Sequence, residues 1–507
     1  MRNLLRSRRG SAAFATVIAL VPLIGAVALG AEAGSWYVTW QHARNAADSA
    51  AYSGALRLAC TIAGATCEAQ SVDYRAKQFA AQSAFCNSGD AAYPGTNCAS
   101  SLPTGISQAV QIDIGDYNAG AFTTPAAGIG NAVRARVSQQ QPAYLAAVLG
   151  LTTVNIPAQA IAQVQQPSKL CGLSLGPDPN GGGGALKLGG NVSNNGTGCP
   201  LMSDASVQFA STPTFSGSGW AVLGATGCSP AGTCGNATVT HNYFMPPALD
   251  PLQGLKTETF NTMPTMTGNT NIGTVNCSTL SPPPGAKKCY SVNPNTAGTT
   301  YGSLGLNQDD YAAFVTGAPG TYFFNGNINV NGGGTVKFAP GTHYFNGNNF
   351  SGGGTIHFAP GTYFFNNVNI NINGGTVDCP TCTPWSGTGL GVTLVLLGTS
   401  SLSISGSTNV SLSAPVTNTF NSDLNGVLID DQATGAVTIN GNGSVALAGA
   451  MYFPKTDVSF GGTAQPANTT CSEVIAKTLT MTGGAYLSTD GCVPSTIAYS
   501  QVVALVQ

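Results

Sequence analysis

The hydrophobic pattern changes character along the chain, and its first stretch is the most apolar. An uncharged run extends from Gly10 to Ala31 and comprises 22 residues. A helix rises about 1.5 Å per residue, so this run spans roughly 33 Å, enough to cross the apolar core of a bilayer. The pattern predicts one membrane-spanning helix within residues 1–58, continued by an alanine-rich helical extension.

Residues 59–166 combine helical periodicity with short alternating stretches. QSVDYRAKQFAAQSAF (70–85) predicts a helix, and PAYLAAVLG (142–150) predicts a second one. Apolar and polar residues alternate in ISQAVQIDIG, AVRARV and NIPAQAIAQV, which is typical of half-buried strands. We therefore expect a small α+β domain at 59–166.

Helical periodicity is lost after residue 166, and a repeat replaces it. APGTYFFN begins at Ala318, APGTHYFN at Ala339 and APGTYFFN again at Ala359, with GGTVKF, GGTIHF and GGTVDC between them in the same register. The repeats recur at intervals of 21 and 20 residues. A fixed period of this length, with alternating strands and turns formed by Gly or Asn, indicates the stacked rungs of a solenoid. The sequence therefore predicts a mainly β protein in which residues 167–507 form a long right-handed parallel β-helix.

Stacking explains which residues of a rung can be buried. Apolar residues such as Tyr322, Phe324, Val336 and Phe338 leave water only when neighbouring rungs cover them. Asparagine runs such as NGNINVN (325–331) can form amide ladders along the stack. The proline-rich stretch at about 245–315 interrupts the pattern and predicts an excursion from the solenoid.

The charges around the apolar run predict its orientation. Arginines precede the run and Glu32 follows it, so the positive-inside rule keeps the N-terminus in the cytoplasm and exports the rest. Aromatic residues after the run fit an interfacial belt, and a mid-span proline is tolerated in membrane helices. The residues expected to form the anchor are Arg6, Arg8, Arg9, Gly10, Pro22, Glu32, Trp36 and Tyr37.

Two processing events compete with a permanent anchor. Ala31 and Ala33 mimic the A-x-A site of a cleaved secretory signal, although the apolar run is long for one. Cleavage after Gly10 would make the chain a type IV prepilin, but Ala15 stands where such precursors carry a glutamate.

Composition and cysteine usage fit an exported chain. Only 7% of residues are charged and the net charge is −2, so the basic patch that nucleic-acid binding requires is missing. An even number of cysteines, fourteen, is typical of disulfides formed in an oxidising compartment. Pairing of sequence neighbours would join Cys60 with Cys67, Cys86 with Cys98, Cys171 with Cys199, Cys228 with Cys234, Cys277 with Cys289, Cys379 with Cys382, and Cys471 with Cys492.

β-Helices often carry polysaccharide-degrading enzymes, so paired carboxylates are the first catalytic candidates. Asp309 with Asp310 and Asp430 with Asp431 are such pairs, but alternation on a strand would point their side chains to opposite faces. We expect turn capping and solvation from these four residues rather than catalysis.

Aligning the repeats brings further polar residues into columns. Lys337, His357 and Asp378 share one column and predict an exposed ladder of mixed charge about 4.8 Å apart. His343 stands in the column of Tyr322 and Tyr363, where we expect it to be a half-buried aromatic substitute.

The remaining motifs carry no cofactor or metal chemistry. CPTC (379–382) lacks a second ligand pair, so a local disulfide is favoured over zinc or redox chemistry. NGGGGA (180–185) has no following Lys-Ser or Lys-Thr and is not a phosphate loop. Neither a catalytic residue nor a cofactor is assigned.

The N-terminal third resembles a known family. The RRG that enters the apolar helix, the acidic residue after it, the aromatic pair and QHARNAADSAAYSGAL resemble the N-terminal segment of TadG-type Flp (Tad) pilus-assembly proteins. NAVRARVSQQQPAYLAAVLGLTTVNIPAQAIAQV (131–164) resembles the way their extracytoplasmic part closes. The family motif in the helical extension comprises Asn45, Ala46, Ala47, Asp48, Ala50 and Ala51.

The chain departs from the family at two places. Family members usually carry an aspartate and then a basic residue after the membrane segment, whereas this chain has Glu32 and no basic residue before Arg44. Many members also carry a von Willebrand-type domain with a metal-binding DxSxS motif, which this sequence lacks. The β-helix-like region stands in its place.

The resemblance implies a non-enzymatic protein of the bacterial inner membrane that acts in Flp pilus assembly or anchoring. Its bulk would lie in the periplasm or at the cell surface, and residues 45–51 would pack against other Tad or envelope proteins. A membrane-tethered adhesin that binds glycans is the alternative from the binding class. A polysaccharide lyase or hydrolase is the alternative from the enzyme class.

Overall fold

The structure is a computed structural model, and it is mainly β. It describes residues 8–64, 67–88, 90, 92–125, 129–176, 185–190, 192–193, 200–216, 219–234, 239–317, 320–347, 349–383, 389–463, 471–482 and 485–506. Two compact units are present. Unit 1 comprises Met1–Ile62, Thr66–Gln165 and Val502–Gln507, and unit 2 comprises Ala63–Ala65 and Gln166–Gln501.

Unit 1 joins two helices to an antiparallel sheet. The helices are α1 (Arg8–Ile62) and α2 (Val72–Gln82). The five strands, in spatial order, are Ala121–Thr123, Ser107–Asn118, Ala132–Pro142, Thr153–Leu170 and Ala498–Leu505. Helix α2 begins where the hydroxyl of Ser71 accepts a hydrogen bond from the N–H of Tyr74 at 3.1 Å, which satisfies one of the free amides of the first turn.

On the sheet of unit 1, buried and exposed side chains alternate as the sequence pattern predicts. Ser107 to Gly115 pair in register with Gln140 to Ala132, and Val133, Ala135 and Val137 point into the core of unit 1. The helix expected within residues 142–150 is only one 3-10 turn, Ala146–Leu149, which ends at Gly150 with a φ of 88°. A left-handed residue of this kind stops a helix at once.

The end of the chain corrects the predicted extent of the third region. The strand Ala498–Leu505 leaves unit 2 and becomes the fifth strand of the unit 1 sheet, where the N–H of Val506 donates to the carbonyl of Ile161 at 2.9 Å. The pairing is non-local, so the alternating pattern of the strand gave no sign of which sheet it would join.

Unit 2 is built around a 27-stranded sheet. The strands of unit 2, including those of a separate small sheet, are Gly172–Ser174, Leu186–Leu188, Val192–Ser193, Leu201–Ser203, Ser206–Phe209, Phe215–Ser216, Ala221–Gly224, Gly227–Ser229, Thr240–Tyr243, Thr274–Val275, Lys288–Val292, Leu304–Leu306, Asp310–Phe314, Thr321–Phe324, Ile328–Val330, Thr335–Lys337, Gly341–Asn346, Asn349–Gly352, Thr355–His357, Gly361–Asn366, Asn369–Asn373, Thr376–Asp378, Val392–Leu397, Ser401–Ser405, Asn409–Ser413, Val427–Asp431, Val437–Thr463, Cys471–Met481, Ala485–Tyr486 and Ser488–Thr489. Short helices occur at Ala231–Cys234, Gln253–Thr257, Thr259–Asn261, Cys277–Thr279, Ala297–Thr299 and Ser422–Leu424.

The repeats pair in parallel and in the predicted register. From Leu304–Leu306 to Thr376–Asp378, each strand pairs with the strand three places further along the chain. Thr321–Phe324 therefore lies beside Thr342 to Phe345, which lies beside Thr362 to Phe365. Equivalent positions of successive repeats become direct neighbours, so a side chain type that recurs in sequence forms a column in space.

The order of the strands in the large sheet of unit 2 differs from their order in the sequence. Gly172–Ser174 pairs in parallel with Cys471–Met481 on one side and with Leu201–Ser203 on the other. Ala221–Gly224 and then Thr240–Tyr243 continue the ladder from there. The first strands of unit 2 thus extend the ladder beyond its last long strand, and the segment after Tyr243 returns the chain to the opposite end at Lys288–Val292.

The returning segment covers an apolar stripe on the sheet. Ala248, Leu252 and Leu255 are buried against residues of distant strands, including Phe364 and Tyr452. The hydroxyl of Tyr452 donates to Asp250 Oδ2 at 2.9 Å, which fixes the segment at that point. The first part of the predicted excursion, residues 245–263, is therefore a strap packed on the sheet.

Aromatic rings form columns on both faces of the repeat strands, one face lying in the main core and the other in the cluster that includes the strap. Phe323, Tyr344 and Phe364 stack with centroids 4.9 Å apart at both steps. In the neighbouring column, the ring of His343 lies 4.6 Å from Tyr322 and 4.4 Å from Tyr363. Centroid distances of this size are typical of stacked aromatic rings. Such stacking stabilises the fold in addition to the burial of the ring surface.

The predicted amide ladder is present. Asn346 Nδ2 donates to Asn325 Oδ1 at 3.0 Å, and Asn366 Nδ2 donates to Asn346 Oδ1 at 3.0 Å. Asn346 thus donates to one neighbour and accepts from the other, and the three uncharged side chains are linked along the stack.

Six of the neighbouring cysteine pairs lie at disulfide distance. Their Cα separations are 5.9 Å for Cys60–Cys67, 6.2 Å for Cys86–Cys98, 6.1 Å for Cys228–Cys234, 5.1 Å for Cys277–Cys289, 5.3 Å for Cys379–Cys382 and 4.9 Å for Cys471–Cys492. These separations lie in the range that disulfides adopt. The predicted pair Cys171–Cys199 involves Cys199, which lies outside the described residues.

Candidate functional site

The first candidate site is helix α1, which is long and apolar enough to cross a membrane. Its 55 residues correspond to about 80 Å, far more than a bilayer core requires. Side chains along the apolar run are exposed, including Leu23 at 66% and Val27 at 68%. A soluble protein rarely leaves such a continuous apolar surface uncovered.

The predicted anchor residues lie along this helix, with one exception. Arg8, Arg9 and Gly10 form its start and Pro22 lies inside it, whereas Arg6 lies outside the described residues. Trp36 is half-buried and Tyr37 is 59% exposed. The Tyr37 ring lies 5.9 Å from Trp40, which carries the Arg44 guanidinium 5.7 Å above its ring.

Glu32 ties the helix to the sheet of unit 1. Its side chain is only 9% exposed and accepts hydrogen bonds from three successive backbone amides. Oε1 accepts from the N–H of Tyr144 at 2.6 Å, and Oε2 accepts from the N–H of Ala146 at 2.8 Å. Leu145 donates to both oxygens, at 3.2 and 3.1 Å. Hydrogen bonds to a charged acceptor are strong ones, so this contact fixes α1 against the connection between the two central strands.

The alanines of the family-motif helix pack within unit 1, so they are not available as a surface for other proteins. Ala46, Ala47, Ala50 and Ala51 are fully buried against α2 and the sheet. Small side chains let the helix approach closely: a Cβ added at Gly54 would lie 3.0 Å from Val133 Cγ1. Asn45 remains exposed and Asp48 is half-exposed, so only the opposite side of the helix is open to a partner.

This packing predicts a clear stability difference between two faces of one helix. We expect Ala50→Leu to lower the free energy of unfolding of unit 1 by about 1–3 kcal/mol, because added methylenes have no space in a packed core. Asn45→Leu introduces the same residue on the exposed face and should change stability by no more than about 0.5 kcal/mol. Urea unfolding of the two variants measures both values. Equal stability of the two variants would show that the alanine face is not packed as described.

An ion pair fixes the sheet of unit 1 on its other face. Asp113 accepts from Arg134 at 3.0 Å and from Arg136 at 2.7 Å. Burial alone would raise the pKa of Asp113, but the hydrogen bonds from Arg136 and Arg134 outweigh it and lower the pKa below its usual value.

In unit 2, the Lys337, His357 and Asp378 column lies in register as predicted. Lys337 is exposed, whereas His357 and Asp378 are half-buried and joined by a 2.5 Å contact between Nδ1 and Oδ1. Lys337 and His357 line a groove of about 660 Å³, whose other lining residues include Tyr311, Pro283, Pro340, Pro360 and Pro380.

His343 is fully buried, not half-buried as expected. Its Nε2–H donates to the carbonyl of Ala339 at 2.9 Å, and burial lowers the pKa of its ring to about 3. The ring is therefore neutral at physiological pH and fills the aromatic column as the neighbouring tyrosines do.

The paired aspartates differ from the predicted solvation. Asp430 and Asp431 are completely buried, and burial raises the pKa of each to about 7. Asp430 Oδ1 accepts from Gln432 Nε2 at 2.7 Å, but its Oδ2 has no hydrogen-bond partner among the described residues. Alternation of apolar and polar residues did not predict the exposure of these two side chains, because their strand is buried on both faces.

Turn capping is found in each pair: Asp431 Oδ1 accepts from the N–H of Ala433 at 2.9 Å, and Asp310 caps a turn in the other pair. Asp310 Oδ2 accepts from the N–H of Asn307 at 3.0 Å, and Asp309 contacts Lys287 Nζ at 2.7 Å. Among the described residues, no group of three or more His, Cys, Asp or Glu side chains could hold a metal ion. The NGGGGA segment lies outside the described residues except for Ala185.

Sequence reasoning missed three acids of unit 2, of which Glu473 and Asp250 are buried and Asp204 is half-buried. Burial raises the pKa of Glu473 well above its usual value, and its Oε1 accepts from the N–H of Ala498 at 2.8 Å. Burial also raises the pKa of Asp204, which accepts from the N–H of Ala248 at 2.6 Å. Asp250 binds Lys256 Nζ at 3.0 Å as well as Tyr452. Only Glu473 carried a signal, since SEVIA places it directly before a purely apolar run.

Comparisons with known proteins concern the N-terminal third. Residues 10–57 match the Tad family, described as Flp pilus-assembly TadE/G-like, and residues 53–162 match the Tad_C family, described as Tad-like Flp pilus-assembly. The two matches cover α1 and most of the unit 1 sheet. The resemblance found in the sequence is therefore confirmed, and the matches support a role in pilus assembly. Neither a curated protein nor a solved structure matches the chain.

Proposed function

Because residues 10–162 are TadE/TadG-like Flp pilus-assembly sequence, we propose that the protein is a membrane-anchored component of Flp pilus assembly. The observation that carries the proposal is the coincidence of both family matches with one folded unit. Helix α1 provides the anchor in the inner membrane, with the basic tip in the cytoplasm and the rest exported. Disulfides in both units suit that compartment.

The contact with other Tad or envelope proteins is assigned to the open side of α1. Asn45 and Tyr52 are exposed there and Asp48 is half-exposed, while the alanines are occupied within unit 1. Spacings of three and four residues place these side chains on one helix face. Arg44 is also exposed, four residues before Asp48, so a partner would meet one charge of each sign beside Asn45 and Tyr52.

Unit 2 is assigned the form of a right-handed parallel β-helix that acts as a rigid spacer or binding surface. Parallel pairing at a spacing of three strands supports this form, as does the column register of the repeats. The strap that contains Leu252 and Leu255 would stiffen it by crossing several strands.

The role proposed for unit 2 is non-enzymatic. The carboxyl groups of Asp430 and Asp431 are buried in the sheet, so a polysaccharide could not reach them without unfolding it. Asp309 is engaged by Lys287, and Asp310 is engaged by its own turn. These contacts leave neither pair free to act as acid and base on a glycoside.

A second candidate function is glycan binding by unit 2. The groove beside Lys337 and His357 favours it, because a cleft of this size with exposed polar groups can hold an oligosaccharide. A glycan array probed with residues 35–507 would detect it, and a Lys337→Ala, His357→Ala double variant should then lose the signal.

The assembly role is tested by deleting the gene in its native host and counting Flp pili by electron microscopy. We expect pili to be lost and to return when the full-length chain is supplied from a plasmid. Unchanged pilus numbers in the deletion strain would refute the assembly role and favour glycan binding.

A further inference from the structure

The turn at residues 143–152 lies beside the apolar run of α1. It connects the strands Ala132–Pro142 and Thr153–Leu170, and Glu32 accepts four hydrogen bonds from its amides. Glu32 directly follows Ala31, the last residue of the uncharged run. The turn is therefore held at the level of the helix where the apolar run ends.

The turn exposes apolar side chains at this level. Tyr144 is 77% exposed, Leu145 is 41% exposed and Leu151 is 45% exposed. No charged residue occurs between Arg136 and Lys169 in the sequence. Exposed tyrosine and leucine without flanking charge suit the boundary between water and lipid, where an aromatic ring with a polar end is favoured.

We propose that the 143–152 turn is a second membrane contact, in which Tyr144, Leu145 and Leu151 enter the lipid interface beside α1. The inference rests on the proposed anchoring of α1 in the membrane. The polar layer on each side of the apolar core is about 5–8 Å deep, so a turn fixed to Glu32 lies within it. Two contacts would fix the tilt and height of unit 1 above the bilayer, which a single helix cannot do alone.

Glu32 is the positioning residue of this contact. A carboxylate beside lipid loses hydration, and the amides of Tyr144, Leu145 and Ala146 replace the missing water. The same hydrogen bonds determine how deep the turn lies. An uncharged turn also predicts lipid contact that depends neither on anionic lipid nor on salt.

Photolabelling of the full-length protein in bilayers tests the proposal. The protein is reconstituted in phosphatidylcholine nanodiscs containing a trace of phosphatidylcholine with a diazirine near its headgroup, then irradiated, digested and sequenced by mass spectrometry. We expect label in α1 at the ends of its apolar run and in the peptide carrying Tyr144, Leu145 and Leu151. Tyr52 is 43% exposed but lies 20 residues beyond Glu32 on the same helix, roughly 30 Å away, and should stay unlabelled.

The outcomes separate the inference from the anchoring on which it rests. Label in α1 without label in the turn overturns the second contact and leaves the anchor intact. Absence of label in α1 overturns the anchor and the inference with it. Label at Tyr52 as strong as that at Tyr144 also overturns the inference, because it would indicate adsorption of the whole unit.

A matched pair of variants tests the role of Glu32. Glu32→Gln replaces an acceptor of four hydrogen bonds by a group that also donates, so label in the turn should fall to the level of Tyr52. Asp48→Asn makes the same acid-to-amide change further along α1 and should leave the label unchanged. Unchanged label in Glu32→Gln, with unit 1 folded by circular dichroism, overturns the positioning role.

Discussion

Replacing Phe364 with alanine is expected to lower the free energy of unfolding of unit 2 by about 3–5 kcal/mol. Phe364 is fully buried and stacks on Tyr344 with centroids 4.9 Å apart. It also meets Phe260 of the strap at 6.4 Å and Phe420 at 5.1 Å. Its removal would leave a cavity between the sheet and the strap, where neither can collapse without losing other contacts.

The stability of Phe364→Ala is measured by urea unfolding of residues 35–507, with circular dichroism as the signal. Phe244→Ala is the matched control, because Phe244 is 77% exposed and its loss should change stability by no more than about 0.5 kcal/mol. If Phe364→Ala were no less stable than Phe244→Ala, the strap would not be packed on this column.

Asp430→Asn is expected to stabilise unit 2 by about 2–4 kcal/mol above pH 7. Burial raises the pKa of Asp430 from its usual value of 3.8 to about 7, against weaker opposing effects of the Gln432 hydrogen bond and of the Lys455 charge. The folded chain therefore holds a proton between about pH 4 and pH 7 that the unfolded chain has released. Stability contributed by this group is complete below about pH 4 and falls as the pH rises to about 7. Asparagine stays neutral and avoids that loss.

The pH dependence of urea unfolding measures the effect. The stability of Asp430→Asn should fall less between pH 4 and pH 8 than that of the unaltered chain, while Asp431 retains a similar dependence of its own. Asp423→Asn makes the same change at an exposed position and should leave the profile unchanged. A profile for Asp430→Asn parallel to that of the unaltered chain would show that Asp430 does not titrate in the folded protein as described.

Features set by local sequence were predictable. The run from Gly10 to Ala31 indicated the long helix, and the APGT repeats determined which residues became neighbours in the sheet. Tyr322, His343 and Tyr363 share a column because their spacing matches the repeat. Lys337, His357 and Asp378 share another for the same reason.

Features set by distant contacts were not predictable. Pairing of Gly172–Ser174 with Cys471–Met481 joins segments about three hundred residues apart, and neither segment indicates its partner. Asp430 lies on a strand that is buried throughout and is paired with Val395 on one side and Tyr452 on the other. The bond between Glu32 and the amides of Tyr144 to Ala146 likewise joins parts of the chain that share no local pattern.

The central claim is that the unit carrying the family matches performs the assembly role. It is tested most directly by pilus counts in the deletion strain supplied with a chain from which unit 2 is excised. Residues 1–170 joined by a short glycine-serine linker to residues 498–507 keep all five strands of the unit 1 sheet. We expect this chain to reach the membrane and to restore pili. Normal amounts of the excised chain in the membrane without any pili would contradict it and assign the essential role to unit 2.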